Sequence, residues 1–463
     1  MGRGAPSGSV GLAPLSVALL LAGCGGPPVP SVRSPGASVA SGASAEAAPP
    51  PPHRASGETR RLGSPEGFEV EREIGKVLGD LSQIRGLSLL QPVPGEVVSR
   101  GELGSLVRRL TEESLPLEIV RASGESMVAL GVVPLGFDYE VVSEQMLTAE
   151  LAGLYDSEGK RMYLVSDLGR SAMDATLAHE LVHALQDQHF GLEGKLKWQE
   201  DAGDRQTALH LLAEGDATSA MLDWVYRDEP EGALNLPDSV LAQSLRAGQV
   251  AMSADIPAIV ARSALSPYAD GIVVVHAARR AGGWAAVDAL WEEPPQSTEQ
   301  MLHADKRAAR EAPIAVPLPP APPWGGQLVM RDVTGELGLR LVFEEWMPRR
   351  TAESAAAGWG GDEMGVWRSE AGVSVGWSMV WDTVEDAEEA SVAFARGALQ
   401  QQRGGVVSKA DAAAAITPGG LCVERPERGP LAIRREGERL VVAMGPMRRD
   451  GHGWRSGGYC EQV

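Results

Sequence analysis

"TLAHELVHALQDQHF", Thr176 to Phe190, decides how the chain is read. Apolar Leu177, Leu181, Val182 and Leu185 recur at helical spacing, and His179 and His183 stand four residues apart. Residues four apart share one face of a helix, so both imidazoles can turn toward one ion. Glu180 falls nearly in line with them and can reach a water beside that ion without ligating it. Zinc lowers the pKa of such a water, and a neighbouring carboxylate can take the proton, which is the chemistry encoded by H-E-x-x-H. The competing reading is an ordinary helix carrying two of the chain's 8 histidines by coincidence. Burying two unpartnered imidazoles among leucines is unfavourable, and that favours a metal.

Catalytic zinc takes three protein ligands and leaves one position open. A second helical pattern runs from Asp204 to about Tyr226 and carries Glu214, flanked by Leu211, Leu212, Ala213 and Ala217. A carboxylate in such company needs a partner, so Glu214 is the expected third ligand. His210, one turn earlier, is the alternative ligand and otherwise a neighbour of the site.

His179-Glu180-Leu181-Val182-His183 with a distant helical Glu214 resembles the gluzincin zinc metallopeptidases. The resemblance implies zinc on His179, His183 and Glu214, with Glu180 as general base. "SPYADG" resembles the Tyr-x-x-Gly of zinc aminopeptidases, which implies Tyr268 as oxyanion donor at a loop-to-helix junction, followed by Gly271. It also implies a zincin-like fold with a strand along the cleft, for which Met162 to Val165 is the candidate. "HELVHALQDQHF", "EGDAT" and "PPQSTEQMLH" further resemble bacterial metallopeptidase-like proteins over roughly Leu151 to His303. Two features depart from the pattern. Thr218 stands where many gluzincins place a carboxylate that orients a histidine, leaving Asp187 as the expected support. The chain has no Gly-x-Met-Glu-Asn-type stretch, so an endopeptidase is expected rather than an aminopeptidase. His276 reads as core, His189 as a helix end facing away, and His303 as part of the site or its wall.

The first residues hold an apolar run, Val10 to Ala22, too short for a membrane-spanning helix but suited to a secretory signal. Leu21-Ala22-Gly23-Cys24 resembles a bacterial lipobox, which implies cleavage before Cys24, lipidation of its thiol and a body tethered in the cell envelope outside the cytoplasm. Of the 3 Cys, Cys422 and Cys460 remain, and an oxidising compartment allows them to pair. With 42 basic and 62 acidic side chains the net charge is −20. That argues against nucleic acid as a partner. Peptides or envelope proteins are the expected substrates.

Composition divides the chain. Residues 1–23 read as signal peptide and 24–63 as a Pro/Ala/Ser-rich spacer that cannot bury enough surface to fold. Residues 64–312 read as a zincin-like catalytic domain, mainly helical with a small sheet. "FEVEREIGKVLGDLSQIRGL" has helical spacing, Ser99 with Glu102 resembles a capping box, and Ala152 to Asp167 is a hairpin around Asp156-Ser157-Glu158-Gly159. Residues 313–324 are a Pro-rich linker, and 7 of the 11 Trp lie from Trp324 onward. The remainder, 325–463, reads as a small α+β domain: strand-like "VSVGWSMVW", "PLAIRR" and "RLVVAMG" with an amphipathic helix in "TVEDAEEASVAFARGALQ". The fold class expected of the whole is α+β. The function expected is a membrane-anchored zinc metallopeptidase. Its rivals are a zinc hydrolase of a non-protein amide or ester and a non-catalytic zinc-binding envelope lipoprotein.

Overall fold

The computed structural model describes residues 65–150, 153–167, 170–229, 232–247, 256–322, 325–450 and 453–455. The expected signal segment, Cys24, the spacer and Cys460 lie outside these residues.

The first helix, Pro65–Arg85, buries Ile74, Val77, Leu78 and Leu81, a single helical face. Strand β1, Gly95–Val98, follows, and then helix Arg100–Ser114 opens on the expected capping box. There Ser99 accepts from the Glu102 N–H at 3.3 Å, while the Glu102 carboxylate accepts from the Ser99 N–H at 2.9 Å. Helix Leu117–Leu130 stops at Gly131, whose φ of 78° is the left-handed closure that glycine allows. Helix Tyr139–Glu150 leads into the hairpin of β2, Gly153–Asp156, and β3, Arg161–Val165. Its turn is held by Asp156, whose Oδ1 accepts from the N–H groups of Glu158 at 3.0 Å and Gly159 at 2.9 Å. These strands form a three-stranded sheet in the order β1-β3-β2, with β1 parallel and β2 antiparallel to β3.

Three helices then build the centre of the molecule. The motif helix, Arg170–Phe190, and the ligand helix, Gly203–Val225, are separated by the short helix Leu192–Leu196. After helix Asp238–Ala247 comes the long helix Ala258–Glu292, which breaks at Gly282 and Gly283. Among the described residues it is the one helix long and apolar enough to cross a membrane. It is nevertheless a core helix here, with 72% of its most apolar stretch buried inside the fold. Arg85 ties the centre together. Its Nε donates to Asp216 Oδ1 of the ligand helix at 2.7 Å, and Trp291 of the long helix donates to Asp216 Oδ2 at 2.9 Å. Phe190 at the end of the motif helix stacks on Trp291, with ring centres 5.1 Å apart.

The second half is an antiparallel sheet in the order β4-β5-β6-β9-β8-β7, with β10 (Gly453–Arg455) added to β9. Its strands are β4 Gln327–Asp332, β5 Trp359–Ser369, β6 Gly372–Trp381, β7 Leu421–Arg425, β8 Gly429–Glu436 and β9 Arg439–Asp450. The amphipathic helix expected from the sequence, Val384–Arg403, packs across this sheet, with Phe394 edge-on to Trp377 and Phe343. The architecture is therefore α+β, as expected. The Pro-rich stretch runs along the sheet: Ile314 N–H donates to Gly360 O at 2.7 Å, and Leu318 and Pro319 sit over Gly365 and Gly376. One apolar cluster joins the two halves, from Leu211, Val275 and Trp291 to Phe343, Trp377 and Val442.

Candidate metal centre

The motif helix carries His179 and His183 one turn apart, and the ligand helix brings Glu214 to meet them. His179 Nε2 lies 3.0 Å from Glu214 Oε2 and 3.2 Å from His183 Nε2, and His183 Nε2 lies 3.6 Å from the same oxygen. All three side chains are buried. Four ligands held tetrahedrally at about 2.0–2.1 Å from zinc stand roughly 3.3–3.4 Å from one another. The three separations bracket that value. Two imidazole nitrogens and a carboxylate are also the donor types zinc prefers, so the residues fit the ion.

A close helix crossing sets the position of Glu214. Gly215, next to Glu214, meets Gly271 of the long helix. A Cβ on Gly271 would lie 2.1 Å from Leu211 O, and one on Gly215 would lie 2.4 Å from Gly271 O. Only glycine fits either place. Gly271 thus serves helix packing. Tyr268 lies inside the long helix, one residue after Pro267, and not at the loop-to-helix junction expected. Its ring packs beside His179, with centroids 5.8 Å apart.

The support of His183 differs from expectation. His183 Nδ1 faces Gln186 Oε1 at 2.8 Å, and Gln186 Nε2 donates to Ala213 O at 3.0 Å. Since that oxygen only accepts, Nδ1 carries a proton, and Nε2 is the nitrogen turned toward the cluster. Asp187, expected in this role, is engaged elsewhere: Tyr155 Oη donates to it at 2.9 Å and Lys160 Nζ at 2.8 Å. The spacing could have suggested Gln186, which sits three residues after His183 on the same face.

Glu180 is buried beside the pair, and its Oε2 accepts from the Tyr155 N–H at 2.8 Å. That amide belongs to β2. The strand expected along the cleft, Met162 to Val165, is β3, the centre of its sheet, hydrogen-bonded to β1 and β2 on its two sides. It has no edge to offer, and β2 borders the cleft instead. This cleft reaches Glu180 and His183 between the end of helix Arg100–Ser114, the β2–β3 turn and helix Leu192–Leu196. Tyr268 is not among its lining residues.

Charge is unevenly spread over the cluster. Burial alone would lower both histidines, and His179 is lowered. For His183 burial is outweighed by Glu214, which raises it to about 9. Glu214 is pushed below the usual carboxylate range by the charge of His183 and the hydrogen bonds of both rings, against its burial. His210 is fully buried, neither of its ring nitrogens has a hydrogen-bond partner among the described residues, and burial pushes it down to about 3. It lies outside the three-residue cluster. His276 pairs with Asp238 at 2.9 Å, His189 with Ser88 O at 2.7 Å and His303 with Glu336 at 2.8 Å, all away from the centre. A second acidic group, Glu299, Glu311 and Asp382, surrounds the ammonium of Lys306.

A family described as a domain of unknown function (DUF8575) matches residues 326–453, which hold most of the second sheet and none of the cluster residues. Comparison with curated proteins and with solved structures gives no match.

Proposed function

We propose that the chain is a zinc-dependent hydrolase cleaving peptide bonds, with His179, His183 and Glu214 as metal ligands and Glu180 as general base. The observation that carries the reading is the buried convergence of two imidazole nitrogens and one carboxylate oxygen at 3.0, 3.2 and 3.6 Å, reached through His183 and Glu180 from a cleft. Zinc, when bound, supplies a Lewis acid and makes water at the site acidic near neutral pH. The chain's own residues do the rest. Gln186 fixes the His183 tautomer. The Tyr155 N–H anchors the Glu180 carboxylate, which can take a proton from water and return it to the leaving amine. β2 offers a border along which an extended substrate can lie. The role of Tyr268 as oxyanion donor rests on the resemblance and on its place beside His179. A body working in the cell envelope, tethered through a lipidated Cys24, belongs to the same proposal and rests on the sequence of the first residues.

Zinc content by mass spectrometry tests the ligands. About one zinc per chain is expected in the wild type, and much less in His183→Ala and Glu214→Ala. Casein hydrolysis tests the base: Glu180→Gln keeps its zinc and loses activity by roughly 10²–10⁴-fold. Zinc without hydrolysis of protein would move the reading to a narrower amide or ester substrate. No zinc would overturn it.

A further inference from the structure

We propose that the cleft before Glu180 and His183 selects peptides carrying a lysine or arginine side chain near the bond to be cut. The inference rests on the hydrolase reading for the word substrate and on the cleft wall for its chemistry. Besides Glu180, the lining holds the carboxylates of Glu113, Asp156, Glu158 and Glu193 against the ammonium of Lys197. Glu113 and Glu158 are exposed, and neither has an ion-pair partner among the described residues. Glu193 is shared with Lys160 at 3.2 Å, but Lys160 lies nearer Asp187, at 2.8 Å. The mouth therefore keeps an excess of negative charge.

The apolar part of the wall is Leu110, Leu154, Leu192, Leu196 and Trp198, beside Ser114, Tyr155 and Ser157. The Trp198 ring is half-buried. A long aliphatic stem ending in a cation matches the leucines of the wall and the carboxylates of the mouth. Its methylenes lie on leucine, and its head meets the indole face and the carboxylates. An acidic side chain would meet like charge in a confined space, where the field is focused rather than screened.

Binding separates this inference from catalysis. Glu180→Gln full-length chain is titrated into three fluorescein-labelled ten-residue peptides, alike except for a central lysine, norleucine or glutamate. Fluorescence anisotropy is expected to show the lysine peptide binding about 10-fold tighter than norleucine, with glutamate weakest. Adding Glu113→Gln and Glu158→Gln should remove most of that preference and leave norleucine binding unchanged. Removing two charges elsewhere, by Glu370→Gln and Glu385→Gln, should leave the preference intact. Equal binding of the three peptides, no binding of any, or a preference indifferent to the cleft variants would overturn the inference. The unsubstituted chain is assayed on the same peptides. Lysine preference in binding without cleavage of any peptide keeps the cleft's selectivity and overturns the peptide-cleaving reading. Cleavage without preference does the reverse.

Discussion

At the scale of single residues, the cluster depends on which ring nitrogen of His183 faces it. Gln186 decides that by accepting from Nδ1 at 2.8 Å while its amide holds Ala213 O, the carbonyl just before Glu214. One side chain thus orients one ligand and spans to the helix of another. Gln186→Leu keeps the volume and removes the acceptor. It is expected to weaken zinc binding by about 10–100-fold, read by competition with a chromophoric chelator. Gln186→Glu restores an acceptor and should restore binding. Wild-type affinity in the leucine variant would reduce Gln186 to packing. That His179, His183 and Glu214 could meet, with Glu180 beside them, was legible in the sequence because helical spacing and apolar neighbours are local facts. The choice between Gln186 and Asp187 was not. Both lie on the right face, and the partners that separate them, Ala213 O for one and Tyr155 with Lys160 for the other, come from distant parts of the chain.

At the scale of elements, the site is made by helices that approach closely. Gly215 and Gly271 let the ligand helix and the long helix touch backbone to backbone, and backbone cannot move aside cheaply. Gly271→Ala puts a Cβ 2.1 Å from Leu211 O and is expected to destabilise by about 1–3 kcal/mol, with zinc affinity falling alongside as Glu214 is displaced. Gly75→Ala is the opposite case. Nothing lies within 4 Å of the added Cβ, on an exposed helical position, so a gain of about 0.5–1 kcal/mol is expected. Urea denaturation of both variants tests the pair, and equal effects would show that the crossing is looser than its distances. The same contrast explains which elements could be read. Helix Pro65–Arg85, the capping box at Ser99 and the Asp156 turn announce themselves through local period and side-chain chemistry. β5 does not, since "WGGDEMG" is poor in strand formers. Its Gly361 faces Ile314 O, where a Cβ would lie at 2.1 Å, and its Gly365 faces the Trp367 ring, at 2.5 Å. Those glycines are set by what packs on the strand, which outweighs propensity.

At the scale of the whole molecule, the sheet half and the half holding the His179–His183–Glu214 cluster are bonded through buried charge, which composition could not reveal. Arg425 and Arg428 donate to the carbonyls of Val128, Ala129 and Val133 at the end of helix Leu117–Leu130, satisfying groups a helix terminus leaves open. Asp270, two residues after Tyr268, binds Arg340 of the sheet half at 2.5 Å and Arg349 at 3.2 Å. The ligand helix begins at the same junction. The Gly203 N–H donates to Asp332 at 2.9 Å, and Asp204 accepts from the Thr298 N–H at 3.1 Å. Burial raises Asp204 from the ordinary 3.8 to about 8, and it likewise raises Asp332 and Asp362. The sign follows from linkage. A carboxyl whose folded value lies above its unfolded one holds its proton more tightly when folded. Its contribution is complete below pH 4 or so and is lost as pH climbs through about 8. Unfolding free energy at saturating zinc should therefore fall between pH 5 and pH 8.5. Asp204→Asn, which keeps an acceptor for Thr298 and cannot ionise, should gain on the wild type only slightly at pH 5 and much more at pH 8.5. Parallel curves would mean that Asp204 ionises at its ordinary pH inside the fold, with the Thr298 bonds holding its charge. A gap that widens with pH would show that Asp204 keeps its proton inside the fold and that alkaline conditions loosen the start of helix Gly203–Val225.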